Sequence, residues 1–94
     1  MKEKTIRSSG NVFLDLGFSK EEAAILVMRS ELMVELRKFI EERKLTQSEA
    51  AKIFGISQSR VSDLVRGVWE RFSLEMLITL YYRAGFQISL KRAA

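Results

Sequence analysis

The sequence predicts an all-α domain of five helices that ends in one short C-terminal β-strand. Two observations predict the helices. Serine and threonine caps recur along the chain, and between them apolar residues return at three- and four-residue steps. A third observation predicts the strand: only near the C-terminus does the pattern switch to a two-residue alternation. At 94 residues and 10.8 kDa the chain has room for one domain with a modest core, and a partner subunit would help it bury more.

Residues 1–10 are polar and without periodicity, which predicts a flexible arm ahead of a single domain over 11–94. Asn11 is placed to cap a short apolar turn, Val12 to Leu16, that Gly17 ends. Ser19 with Glu22 fits a capping box and opens a long helix reaching about Lys44. Ile25, Met28, Leu32, Leu36, Phe39 and Ile40 fall on one face of it. Ala23 to Met28 is apolar all round, more than one buried face requires, and so points to a partner.

Thr46 with Glu49 repeats the capping box and starts another helix, which stops at Gly55. The next begins at once at Ser57. The last opens at Ser73 and ends at Ala84, with Gly85 in the capping position. Phe86-Gln87-Ile88-Ser89-Leu90 then alternates as a strand does. A lone strand of that length has no local neighbour, but two copies about a two-fold axis could pair through it. Tyr81, Phe86, Ile88 and Leu90 are the residues expected at that dimer contact.

Residues 46–66 carry the most information. Two short helices crossing steeply need a small residue at their contact, supplied by Ala51, and a turn residue tolerant of positive φ, supplied by Gly55. Ile56 can anchor the turn, while Val61, Leu64 and Val65 form the inner side of the second helix. This is helix-turn-helix spacing. The outer side then presents Gln58, Ser59, Ser62, Asp63 and Arg66. A helix of this width fits the major groove of DNA, where glutamine suits adenine, serine serves several bases and aspartate could accept from cytosine. Asp63 also has Arg60 and Arg66 within one helical turn, and local pairing is preferred. Ser57 leaves backbone amides free for a phosphate, and Arg60, Arg66 and Lys52 supply positive charge.

On these residues the segment resembles the Cro/C1-type (Xre-like) helix-turn-helix family. Leu45 to Gly67, Trp69, and Phe72 to Leu77 are similar to its HigA-like antitoxin branch, as is the preceding Asn11 to Gly17. The resemblance spans roughly residues 11–90. It implies a lambda-repressor-like fold, a phosphate contact at Gln47, and a homodimeric repressor of double-stranded operator DNA. For that branch it further implies the antitoxin of a type II toxin-antitoxin pair. Such a protein regulates its own operon and neutralises a RelE/HigB-like toxin, a small basic endoribonuclease. Many relatives carry a lysine after the glycine at position 67. Val68 stands there in this chain, so weaker binding per monomer is expected.

Composition narrows the alternatives. The chain has no cysteine and no histidine, so thiolate chemistry, disulfides and imidazole bases or ligands are excluded, and neither a cofactor, a metal nor enzymatic activity is expected. Glu41 and Glu42 are adjacent on a helix and diverge by about 100°, so they cannot share a metal. No apolar run approaches a membrane span and no signal core follows Met1, so a cytoplasmic protein is expected. Net charge is +4, with nine basic against eight acidic groups in residues 1–44 and seven against four in 45–94. Trp69, Phe72, Tyr81 and Tyr82 are expected in the core or an interface rather than stacked on bases. Met28, Met33 and Met76 should fill gaps. Residues 1–31 either complete the dimer or, in the antitoxin reading, cover the toxin with Asp15, Glu21, Glu22, Glu31 and the apolar run. A stand-alone regulator and a protein-interaction module without DNA binding are the alternatives. An RNA-binding role fits less well, because the helix pair suits a B-form groove.

Overall fold

The computed structural model describes residues 12–93. The arm expected over 1–10 and the Asn11 cap lie outside the described residues. Five helices follow one another: α1, described over residues 12–15; α2, Lys20–Glu42; α3, Gln47–Phe54; α4, Gln58–Arg66; and α5, Leu74–Arg83. A single 3₁₀ turn, Trp69–Arg71, joins α4 to α5.

Every helix start from α2 onward is fixed by a local hydroxyl. The Ser19 and Thr46 hydroxyls accept the amides of Glu22 and Glu49, whose carboxylates accept the cap amides in return. Ser57 and Ser73 accept the amides of Arg60 and Met76. Such a cap is worth about 1 kcal/mol. The ends of α2, α3 and α4 share another device, in which the chain turns left-handed and a later amide reaches back to a carbonyl five residues earlier. Glycine takes that conformation after α3 and α4, but after α2 it falls to Lys44, at φ 54°, with the Leu45 amide 3.0 Å from the Ile40 carbonyl.

α2 packs chiefly on α5, and α3 on α4. Phe54, Phe72, Leu36, Leu64, Leu77, Leu80 and Val61 are fully buried between them. Each removes apolar surface worth about 1.5–3 kcal/mol from water. On α2 the buried stripe is Ala23, Leu26, Met33, Leu36, Phe39 and Ile40. That corrects the periodicity reading at its N-terminal end. Ile25 and Met28, expected inside, are 45% and 49% exposed. The apolar run offered two stripes, and the buried one runs through Ala23, Leu26 and Met33. Ile25 and Met28 belong to the other stripe. Met28 and Leu32 line a groove of about 590 Å³, shared with Leu74, Ile78 and Tyr81 of α5 and with residues 87–91.

The aromatic residues divide. Phe72 is core, whereas Trp69 is 42% exposed beneath the Arg29 guanidinium. Residues 86–93 are irregular rather than a strand, because one chain offers no edge to pair with and main-chain groups need a ladder partner to form a strand. Their start is nevertheless held. Phe86 packs on Tyr81 and Phe39 at ring separations of 4.9 and 5.7 Å. The Tyr82 hydroxyl accepts the Ile88 amide at 3.1 Å and donates to the Ile88 carbonyl at 3.2 Å.

Candidate nucleic-acid interface

The helix pair α3–α4 is built as its sequence requires. Ala50, Ala51 and Phe54 of α3 and Val61 and Leu64 of α4 are buried where the two cross. Gly55 turns the chain at φ 70°, and the Ile56 amide returns to the Ala51 carbonyl at 3.1 Å. Arg83 of α5 locks the turn from behind, donating from Nη1 to the Phe54 carbonyl at 2.7 Å. The turn is therefore set by backbone conformation, a capping bond and a cation from another helix.

This packing decides what α4 presents. Gln58, Ser59, Val65 and Arg66 are exposed and Ser62 is half-exposed, making up the outer arc of α4 with Val65 at its edge beside Val61. Gln58, Ser62 and Val65 follow one another at helical steps of four and three, forming a line along that face. Ser57 is spent as the cap of α4, and the amides of Gln58 and Ser59 have no partner among the described residues. Gln47 lies exposed at the first turn of α3.

Two residues stand elsewhere than the sequence placed them. Val65, expected inside, is 37% exposed and joins the outer face. Asp63, expected outside, is buried at 8% exposure. On a nine-residue helix the inward arc takes in Arg60 and Asp63 beside Val61 and Leu64, which leaves Val65 outside. The Asp63 carboxylate lies 2.7 Å from Arg66 Nη2, 3.7 Å from Arg71 Nε and 4.0 Å from Arg60 Nε. Arg60 also turns inward. Its guanidinium donates to the Arg71 carbonyl at 3.4 Å and lies over the Phe72 ring.

Arg71 was not singled out by sequence reasoning. It sits in the 3₁₀ turn, outside the helix-turn-helix spacing, and only the fold brings it beside Asp63. The turn that carries it is held from beneath. Arg29 Nη2 donates to the carbonyls of Trp69 at 2.9 Å and Phe72 at 2.7 Å. Arg66, Arg71 and the free amides of α4 thus put positive charge beside one polar face, and Lys52 is exposed on α3.

The family model for a helix-turn-helix domain (HTH_37) matches residues 12–91. The chain belongs to that family. No curated protein matches it. A helix-turn-helix domain points to a DNA-binding regulator, a motif whose second helix is the recognition helix. No helix among the described residues is long and apolar enough to cross a membrane.

Proposed function

We propose that this helix-turn-helix protein is a sequence-specific transcriptional repressor that binds operator DNA as a homodimer. The observation that carries the reading is the outer face of α4. Gln58, Ser62 and Val65 stand in line there, flanked by Ser59 and Arg66 and supported by a fully packed α3. Glutamine offers a paired contact to adenine, serine serves either base type, and a valine methyl suits the methyl of thymine. Gln47 and the amides of Gln58 and Ser59 hold phosphates and set the register without reading sequence.

One recognition helix reads too few base pairs for a specific site, so two copies are required, with their helices about 34 Å apart on an inverted repeat. The second copy pairs through Phe86 to Leu90, with Tyr81 beneath. This agrees with a tail whose Ile88 and Leu90 are 38% and 94% exposed and whose main chain beyond Phe86 makes no backbone hydrogen bond among the described residues. The protein acts in the cytoplasm and has no catalytic role. Its finer role is that of an antitoxin repressing its own operon. Ile25 and Met28, exposed near Glu21, Glu22 and Glu31 on α2, suit a small basic toxin.

The test is binding of the purified protein to the DNA upstream of its own coding sequence, followed by fluorescence anisotropy against a scrambled duplex. Gln58→Ala removes a base contact of about 1–3 kcal/mol from each half-site, so it should reduce specific affinity by roughly 30-fold or more and leave binding to the scrambled duplex unchanged. Equal affinity of wild type for both duplexes would overturn the repressor reading. Co-expression with the neighbouring gene tests the antitoxin role separately. A growth-arresting basic protein recovered in complex supports it, and a free homodimer refutes it.

A further inference from the structure

We infer that Asp63 is a positioning residue, which holds Arg66 and Arg71 as a pair of phosphate-binding cations beside the recognition helix. The inference rests on the DNA-binding reading above. It assigns Asp63 a task opposite to a base contact.

Both Asp63 oxygens are engaged, Oδ1 with Arg66 and Oδ2 with Arg71 and Arg60. Its side chain is 12% exposed, so little of it is free to accept from a base edge. The three arginines differ. Arg60 is the most enclosed, at 37% exposure of its side chain, and is spent on the Arg71 carbonyl and the Phe72 ring. Arg66 and Arg71 remain 64% and 61% exposed. Arg66 meets Asp63 through Nη2 and Arg71 through Nε. A guanidinium carries five donors, so each retains free N–H groups facing solvent.

The cluster therefore carries two positive charges in excess of its one negative charge. Its backbone is fixed at three points: α4 itself, the Arg29 bonds to the carbonyls of Trp69 and Phe72, and the buried Phe72 ring. A long arginine pays conformational entropy on binding, and fixing it in advance lowers that cost. Arg71 also supplies positive charge just beyond α4.

The experiment is a salt titration of the full chain on a fluorescent duplex taken from upstream of its own gene. NaCl runs from about 50 to 200 mM, below the unfolding transition of every variant. Losing one phosphate contact per protomer, two per homodimer, makes the slope of log K against log salt shallower by about 1.8, and weakens binding about 30-fold near 0.15 M salt. Arg71→Ala should do this. Asp63→Asn raises the net charge, so simple electrostatics predicts tighter binding. Positioning predicts binding weakened two- to fivefold with a shallower slope, an effect lost in the Arg71→Ala, Arg66→Ala background. Tighter or unchanged binding by Asp63→Asn would overturn the inference, as would an unchanged slope for Arg71→Ala. If Asp63→Asn does not fold, the slope of Arg71→Ala still decides. Failure of the wild type to bind any duplex at about 50 mM salt would instead overturn the DNA-binding reading on which this one rests.

Discussion

Replacing Gly55 by alanine probes the turn that sets α4 against α3. Two costs are added. The residue sits at φ 70°, where a side chain costs about 1–2 kcal/mol, partly offset by the alanine's smaller entropy in the unfolded chain. A Cβ there would also lie 3.0 Å from Arg83 Nη1, the atom that donates to the Phe54 carbonyl at 2.7 Å. A charged hydrogen bond is worth about 1.5–3 kcal/mol when sheltered. Arg83 is exposed, and displacing it is worth about 1 kcal/mol after solvent screening. The expected loss is about 2 kcal/mol, or roughly 8–16 °C in Tm for a domain of this size. Urea unfolding followed by circular dichroism gives the number directly. The same substitution in an Arg83→Ala background should cost only the backbone strain, about 1 kcal/mol, which leaves a coupling energy of similar size. Equal losses in both backgrounds would show that Arg83 does not guard the turn. A loss under about 0.5 kcal/mol in wild type would refute the strain argument itself.

Lys44→Gly should act in the opposite direction. Among the described residues Lys44 is the non-glycine residue held at positive φ, at 54°, so glycine should stabilise the chain by about 0.5–1 kcal/mol, read as a higher urea midpoint with unchanged slope. Tyr82→Phe removes the hydroxyl bonded to both main-chain groups of Ile88. Because these bonds are exposed, stability should change by less than about 1 kcal/mol, while amide exchange at Ile88 should accelerate about tenfold. Protection unchanged in that variant would mean that something other than Tyr82 holds the tail.

The helix starts were legible because each is a local event. Ser19, Thr46, Ser57 and Ser73 each bond an amide three residues on, and a capping hydroxyl needs nothing from the rest of the chain. The crossing of α3 and α4 was legible for a related reason, since Ala51, Gly55 and Val61 specify it within a dozen residues. The phase of α2 was not. Ala23 to Met28 satisfies a helical period with its hydrophobic centre on Leu26 or on Ile25 and Met28, and only tertiary packing chooses. Asp63 was half legible. Its pairing with Arg60 and Arg66 follows from helical spacing, but Arg71 approaches it through the 3₁₀ turn, and no periodicity forecasts that a carboxylate with three such neighbours can be buried.

The tail presents a limit of another kind. Phe86 to Leu90 alternates as a strand does, yet a strand is a property of two edges, and one chain supplies one. In the single chain only the beginning of the segment is satisfied: Phe86 against Phe39 and Tyr81, and Ile88 through the Tyr82 hydroxyl. These contacts hold the tail beside the groove lined by Met28, Leu32, Leu74 and Ile78 and leave Leu90 94% exposed. Under the proposed dimer, pairing would satisfy the unbonded main chain and cover that leucine at once. The ordering would already be partly complete through Tyr82, so association would cost less entropy than docking a free tail. Dimerisation and operator affinity would then be linked through α5, whose Arg83 holds the turn before α4 while its Tyr81 and Tyr82 hold the tail.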